Sequence, residues 1–242
     1  MIDEHLIPNL EWGVKPILFY FGNFAVPSYS FFVGLAVIVG VLVYWLEAKK
    51  QKQVSENTLY ILLGALIGGV IGAKIIIMLA YWNQLNWNIV LTGKSIVGGL
   101  IGGTVGVLIT KKILKIESQR KGNLFAPAIA IGVAIGRIGC FLRGCCYGKE
   151  TGLPWGVNFG DEVLRHPTQI YESIFMLGMF FYLLYARTKK PKPGRLFYIL
   201  IISYFTFRFF IEFIRVEPIA SLGLTWFQIL SLIAIAYTLW KK

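Results

Sequence analysis

Long apolar runs alternate with short polar segments along most of this chain. Seven runs hold few charges, and each is roughly 20 residues long, the length that a helix needs to cross a hydrocarbon core of about 30 Å. The predicted spans cover residues 27–46, 58–82, 94–112, 123–142, 167–186, 196–215 and 223–240. Because lipid offers no hydrogen-bond partner to a bare backbone, each run is predicted to be a helix.

The pattern therefore predicts an all-α polytopic membrane protein with seven transmembrane helices, formed by a single domain over residues 1–242. The composition supports this class. Hydrophobic residues make up 56% of the chain, and the mean hydropathy is +0.66. These values are too apolar for a soluble domain of this length.

Basic residues predict the orientation of the chain in the membrane. They follow the first, third, fifth and seventh spans, at Lys49, Lys50, Lys52, Lys111, Lys112, Lys115, Arg120, Lys121, Arg187, Lys189, Lys190, Lys192, Arg195, Lys241 and Lys242. Short cytoplasmic loops are rich in Lys and Arg, so the N-terminus is predicted outside and the C-terminus in the cytoplasm. Topology and anionic headgroups account for the net charge of +12, and no nucleic-acid partner is expected.

Glycines recur every four residues in three of the predicted helices. They are Gly64, Gly68 and Gly72, then Gly98, Gly102 and Gly106, then Gly132 and Gly136. Small residues at this spacing form a smooth helix face, which lets two helix backbones approach closely. The pattern predicts a tight helix bundle and says nothing of function.

Apart from Lys and Arg residues at the ends of the third and sixth spans, five charged residues fall inside predicted spans, where charges are costly and usually meet a partner or a watery cavity. They are Lys74, Arg137, Glu172, Arg208 and Glu212. From the helical rise, the first four are predicted in one layer roughly 20 Å above the cytoplasmic face. Arg208, Glu212 and Arg215 are spaced four and three apart, so they share a helix face.

Cations outnumber anions in this layer when the nearby Arg143 and Arg215 are included. A surplus of buried positive charge predicts an anionic ligand, and guanidinium groups match the oxygens of a phosphate in a bidentate fashion. The alternative for Glu212 is an ordinary Arg–Glu pair that holds two helices together.

Several stretches resemble, in order, the signatures of the bacterial prolipoprotein diacylglyceryl transferases. GRIGCFLRGCCYG at 136–148 is similar to that family's GRxGNFxNGExWG, HPTQIYES at 166–173 to HPSQLYEA, and FRFFIEFIR at 207–215 to RFxxEFFR. WFQILSL at 226–232 is similar to the GQxLS segment, and VPSYSFFVGLA at 26–36 fits the early tyrosine-bearing helix. Together these stretches are distributed over most of the chain.

The resemblance implies an enzyme of the bacterial inner membrane that takes phosphatidylglycerol and transfers its diacylglyceryl group to the lipobox cysteine of a prolipoprotein. It implies that Arg137 and Arg208 clamp the phosphate and that Glu212 orients Arg208 or Arg215. Lipid or signal-peptide contacts are expected at Tyr29, Lys74, Arg143, His166, Gln169, Glu172 and Arg215. No cofactor or metal is expected.

Ordinary structural alternatives stay open for two of these residues. His166 precedes Pro167 and could simply start a helix, and Tyr29 could be an aromatic residue of the membrane interface.

The chain departs from the family pattern where the thiol acceptor would be activated. The family's HGGLIG is here VGGLIG, so Val97 replaces a histidine, and a valine side chain cannot accept a proton. Two asparagines of the signature are replaced by Cys140 and Arg143, and its glutamate by Cys145. The acceptor could therefore differ from a lipobox cysteine.

Four roles are open for Cys140, Cys145 and Cys146 at the sequence level. They are a disulfide on the outer face, inert packing, an activated thiolate, and a zinc site completed by His166, for which C-x4-CC is an unusual spacing. Two other functions also compete with the transferase: a transporter or flippase for an organic phosphate or lipid, and a lipid-binding relative without catalysis.

Overall fold

A computed structural model of the protein describes residues 14–51, 57–115 and 122–240. Its helices are α1 (Ser28–Lys50), α2 (Asn57–Ala80), α3 (Trp87–Thr92), α4 (Ile96–Ile113), α5 (Gly122–Arg143), α6 (Thr168–Thr188), α7 (Arg195–Ile211) and α8 (Trp226–Trp240). Short strands pair as antiparallel hairpins, β1 (Ile17–Phe21) with β2 (Phe24–Pro27), β3 (Val157–Asn158) with β4 (Leu164–Arg165), and β5 (Ile219–Ser221) with β6 (Leu224–Thr225).

Six of these helices are long and apolar enough to cross a membrane, namely α1, α2, α4, α5, α6 and α7 with its 3-10 extension to Ile214. They coincide with the first six predicted spans to within a few residues. The helix α8 is apolar but has 15 residues, so the seventh span and the orientation of the termini stay predictions. Five of the basic residues used for orientation, Lys52, Arg120, Lys121, Lys241 and Lys242, lie outside the described residues.

Within the described residues, one compact unit comprises residues 14–47 and 122–216, and α5 lies at its centre. This helix packs against α6 and α7 and is the most buried of the six candidate spans. It also lies close to α1, because a side chain added at Gly139 would meet Cβ of Phe32 at 2.8 Å. At the other end of α1, the carboxylate of Glu47 forms an ion pair with Arg187 of α6.

A second unit comprises the described residues 48–51, 57–115 and 217–240, in which α2 and α4 pack along the two predicted glycine faces. A Cβ added at Gly68 would lie 2.3 Å from the carbonyl oxygen of Gly102, and one added at Gly72 would lie 2.4 Å from that of Gly98. These distances are far below contact, so only glycine fits. The third glycine pair differs, since Gly132 would place its Cβ at an ordinary 3.4 Å from Ala36.

Gly102→Ala is expected to destabilise the protein, because its new methyl group would lie 2.2 Å from the backbone oxygen of Gly68. Overpacking of this kind typically costs about 1–3 kcal/mol. The matched control is Gly178→Ala in α6, where nothing lies within 4 Å of the added atom. Thermal unfolding in detergent should show a lower midpoint for Gly102→Ala alone; equal midpoints for both variants would contradict the close packing of α2 and α4.

Candidate active site

Three helices of the first unit bring two arginines to one glutamate. Arg137 of α5 places Nη2 2.7 Å from Oε2 of Glu172 in α6, and Arg208 of α7 places Nη1 3.7 Å from the same oxygen. These three residues were predicted from helical rise to share one layer. The structure brings them into direct contact, and all three are at least 95% buried.

A second carboxylate extends this group along the chain after α7. The helix ends at Ile211, and a 3-10 turn at Glu212–Ile214 keeps Glu212 on the side of Arg208. Its Oε2 lies 2.9 Å from Nη2 of Arg208 and 3.6 Å from Nε of Arg215. Glu212 therefore contacts both arginines that it was expected to orient.

The resulting arginine cluster consists of Arg137, Arg208, Arg215, Glu172 and Glu212. It contains three guanidinium groups and two carboxylates, and no member is more than 5% exposed. Arginine stays protonated in proteins, and a carboxylate held by arginines favours its ionised form. The cluster therefore carries a net positive charge in a place that water does not reach freely.

Buried polar atoms without a hydrogen-bond partner among the described residues include one in the cluster and one beside it. These two are Nε of Arg137, a donor, and Oε1 of Gln169, an acceptor. A buried donor left unpaired is costly. An acceptor oxygen of a ligand could pair with Nε of Arg137, and a hydroxyl group of the same ligand could donate to Oε1 of Gln169.

Tyr204 of α7 is a further member of the site that sequence reasoning missed. Its hydroxyl group donates to Oε1 of Glu172 at 3.1 Å, and its side chain is fully buried. The signal was weak, because Tyr204 lies among aromatic and aliphatic residues that all favour packing. Its spacing of four from Arg208 places the two on one helix face and could have revealed it.

Tyr204→Phe is expected to lower the stability of the protein by about 1.5–3 kcal/mol, the usual range for a hydrogen bond to a charged group. The fold itself should persist, because the ring still fills its space. Thermal unfolding in detergent measures the change. A midpoint equal to that of the wild type would show that this hydrogen bond does not hold Glu172.

The loop after α5 is tied to the cluster through its backbone. Nη1 of Arg215 donates to the carbonyl oxygen of Cys146 at 2.8 Å, and Oγ1 of Thr168 donates to that same oxygen at 2.7 Å. Nε2 of Gln169 donates to the carbonyl oxygen of Cys145 at 2.6 Å. Arg215 and Gln169, both predicted to contact substrate, thus position this loop.

Tyr29 and Arg143 contact each other at the end of α5. The guanidinium carbon of Arg143 lies 5.2 Å from the centre of the Tyr29 ring, a cation–π geometry. His166 lies just before α6, whose N-cap residue is Pro167, and its Nδ1 lies 3.3 Å from the hydroxyl oxygen of Tyr171. These residues border the first unit's site without joining the arginine cluster.

Lys74 lies in the second unit, and its charge has local partners there. Its Nζ donates to the carbonyl oxygens of Val90 at 2.5 Å and Leu91 at 2.7 Å, near the C-terminal end of α3. A lysine at a helix C-terminus satisfies carbonyls that the helix leaves unpaired. Its predicted contact with lipid phosphate stays a prediction.

Val97 is 1% exposed in the first turn of α4, where Oγ of Ser95 accepts a hydrogen bond from the backbone of Gly98. The Val97 side chain packs as a core residue. It has no group that could transfer a proton.

A surface ion pair closes the β3–β4 hairpin before α6. Nε of Arg165 lies 2.7 Å from Oδ2 of Asp161. Partial burial of the Asp161 carboxyl group tends to raise its pKa. The hydrogen bond and the positive charge of Arg165 outweigh this effect, so the pKa of Asp161 is lowered. Both side chains are partly solvent-exposed, so the pair contributes little to stability.

The fold and this site define a membrane protein of several apolar helices with a buried, cation-rich centre suited to an anionic lipid group. Comparison with known proteins gives the family. The profile of the prolipoprotein diacylglyceryl transferase family matches residues 16–241, and the chain belongs to that family.

Individual relatives support the same assignment over most of the chain. A phosphatidylglycerol–prolipoprotein diacylglyceryl transferase of Clostridium tetani is 32% identical over 216 residues, which is 85% of this chain and 87% of the relative. A protein of the same name from Dehalococcoides mccartyi is 34% identical, over 93% of this chain and 92% of the relative. One from Pasteurella multocida is 33% identical, over 90% of this chain and 84% of the relative.

Proposed function

We propose that this protein transfers the diacylglyceryl group of phosphatidylglycerol to the thiol of a lipobox cysteine in a prolipoprotein. The sulfur attacks the terminal glyceryl carbon, a carbon–sulfur bond forms, and the carbon–oxygen bond to phosphate breaks. The electron pair leaves on the phosphate oxygen, so glycerol phosphate is released. Membership of the family and the names of its relatives support this reaction.

The net positive charge of the buried arginine cluster is the observation that carries the proposal. Three guanidinium groups face two carboxylates there, and Nε of Arg137 is buried with no hydrogen-bond partner among the described residues. A phosphate that gathers charge as it leaves would supply the missing anion. Preorganised donors that stabilise such charge typically contribute a large part of the rate enhancement.

The residues then have distinct roles. Arg137 and Arg208 bind the phosphate, and Glu172 and Glu212 hold their guanidinium groups in place. Arg143 with Tyr29, together with His166, would contact the lipid headgroup or the signal peptide. Arg215 and Gln169 act by fixing the loop after α5, and Lys74 is assigned to the lipid phosphate by resemblance alone.

The acceptor thiol must lose its proton, and Val97 cannot receive it. Cationic neighbours lower the pKa of a thiol. The arginine cluster would therefore favour the thiolate of the incoming cysteine, whose proton passes to water, so the reaction needs no histidine at position 97.

The proposed setting is the bacterial inner membrane, with seven spans, the N-terminus outside and the C-terminus in the cytoplasm. In this arrangement α8 is the seventh span. The six long apolar helices and the alternating basic segments support it.

The test uses the purified protein with phosphatidylglycerol radiolabelled in its acyl chains and a peptide that contains a lipobox cysteine. We expect label in the peptide, bound through a thioether, and an equal amount of released glycerol phosphate. A peptide with serine in place of the cysteine is the control. Intact lipid after incubation, or exchange of lipid across the bilayer of proteoliposomes without any covalent product, would contradict the proposal.

A further inference from the structure

The three cysteines of the chain form a compact thiol cluster of Cys140, Cys145 and Cys146. Their Sγ atoms all lie within 4.8 Å of one another, and those of Cys145 and Cys146 are 3.8 Å apart. None of the three is in a disulfide in the structure. The transfer reaction proposed above assigns no task to these side chains.

Helix capping explains why this spacing brings the sulfur atoms together. The helix α5 ends in a Schellman motif: the backbone N–H of Gly144 donates to Phe141, and that of Cys145 donates to Cys140, at 2.9 and 3.1 Å. Gly144 has the left-handed backbone that this motif needs, with φ of 73°. The motif places the residue after the glycine beside the residue five positions earlier, and here both are cysteines.

The third thiol is added by an unusual backbone conformation. Cys146 has φ of 66°, a left-handed conformation that costs a non-glycine residue roughly 1–2 kcal/mol. The hydrogen bonds from Arg215 and Thr168 to its carbonyl oxygen hold it there. Strained backbone is typically kept where it serves a site.

The cluster has the size and charge surroundings of a metal site. A metal–sulfur bond is about 2.3 Å long, so three sulfurs around one ion lie roughly 3.7–4.0 Å apart. The Sγ atoms of Cys145 and Cys146 are already 3.8 Å apart, and all three lie within 4.8 Å of one another, so metal binding requires only a small approach. Three thiolates remain net negative after binding a monovalent or divalent cation. Nη1 of Arg137 lies 4.0 Å from Sγ of Cys140 and would stabilise that charge.

We propose that Cys140, Cys145 and Cys146 bind one soft metal ion, Cu⁺ or Zn²⁺, through three thiolates. Thiolate ligands select both ions. Cu⁺ is satisfied by three sulfurs, whereas Zn²⁺ requires a fourth ligand, which water can supply. Cys146 is exposed and gives the ion access, while Cys140, in the last turn of α5, is buried.

Binding would also fix the loop on which the arginine cluster depends. The carbonyl oxygens of Cys145 and Cys146 accept hydrogen bonds from Gln169, Thr168 and Arg215. A metal ion bridging this loop to the end of α5 would therefore hold Arg215 in place. The metal site is consequently a structural support beside the lipid site.

The experiment uses the full chain, purified in detergent with its thiols reduced, and adds Cu⁺ or Zn²⁺ alone. After desalting, we expect about one ion per chain, and X-ray absorption should show three sulfur neighbours at about 2.3 Å. The single variants Cys140→Ser, Cys145→Ser and Cys146→Ser should each lose at least tenfold in affinity, the lower end of the range for loss of metal-site groups. Arg165→Lys, which keeps all three thiols, should bind as the wild type does.

A measurement on the wild type alone guards against variants that fail to fold. Bound ion should protect the two more accessible thiols, Cys145 and Cys146, from iodoacetamide, and removal of the ion by a chelator should restore their alkylation. Substoichiometric binding, unchanged binding in the three serine variants, or a disulfide that forms in place of metal binding would overturn the proposal. The assay contains no lipid or peptide, so its outcome is independent of transferase activity.

Discussion

Arg208→Lys is expected to reduce diacylglyceryl transfer almost as much as Arg208→Ala, by roughly 10²–10³-fold, the range for loss of one donor to a developing anion. The lysine variant keeps the positive charge but loses the planar guanidinium group. An ammonium group cannot contact Glu212 and a phosphate with the same fork geometry. The measurement is the rate of label transfer from phosphatidylglycerol to the lipobox peptide.

Arg165→Lys is the matched control for this substitution. It makes the same chemical change at a partly exposed arginine that pairs with Asp161 in the β3–β4 hairpin. It should leave the transfer rate within about twofold, since surface ion pairs contribute little. Full activity of Arg208→Lys would show that charge alone suffices and would remove the reason for assigning Arg208 to the phosphate.

Glu172→Gln is expected to destabilise the protein by about 3–5 kcal/mol, the usual effect of removing one partner from a buried ion pair. Glu172 is fully buried and contacts Arg137, Arg208 and the hydroxyl group of Tyr204. Without the charge of Glu172, Glu212 would be the one carboxylate left in the cluster, and it contacts Arg208 and Arg215 but is not the ion-pair partner of Arg137. Thermal unfolding in detergent should show a large fall in the midpoint.

The control for charge removal is Glu150→Gln, at an exposed position before the β3–β4 hairpin. Its midpoint should stay close to that of the wild type. Phosphatidylglycerol should raise the unfolding midpoint of the wild type, because a ligand that binds the folded state stabilises it. It should not lower the midpoint of Glu172→Gln or of Glu150→Gln. A Glu172→Gln protein as stable as the control would mean that the carboxylate does not hold the cluster together.

The helices and the centre of the site could be predicted from the sequence because each has a strong physical signal. Apolar runs with few charges predicted the six long apolar helices, since a backbone in lipid must form its hydrogen bonds within the helix. The rise per residue placed Arg137, Glu172 and Arg208 at one depth, and the structure joins them within 3.7 Å. Depth does not give the rotation of each helix about its own axis, so the contacts between these side chains could not be predicted.

Other features depend on contacts between distant segments or on local backbone geometry. Lys74 donates to carbonyls of α3, a short helix between the second and third predicted spans, where the apolar pattern predicted no helix. Tyr204 lies in an aromatic run, where a hydrogen-bonded hydroxyl group has no sequence signature. The thiol cluster depends on the left-handed conformations of Gly144 and Cys146. The spacing of the cysteines along the chain therefore could not show that their sulfur atoms lie together.

The departures from the family pattern lie outside the arginine cluster's charged groups. Val97 replaces the family's histidine in the second unit. Arg137 and Arg208 keep the positions that the resemblance assigns to the phosphate clamp, and Glu212 keeps that of the residue expected to orient Arg208 or Arg215. We therefore expect binding of the lipid to be conventional for the family and activation of the acceptor thiol to differ.

The most direct test of the account is an experimental structure of the protein with phosphatidylglycerol bound in a lipid environment. We expect phosphate oxygens within hydrogen-bond distance, roughly 2.7–3.2 Å, of guanidinium nitrogens of both Arg137 and Arg208. Nε of Arg137 should then have an acceptor. A headgroup bound elsewhere, with no phosphate oxygen within hydrogen-bond distance of Arg137 or Arg208, would contradict the phosphate-binding role of the cluster.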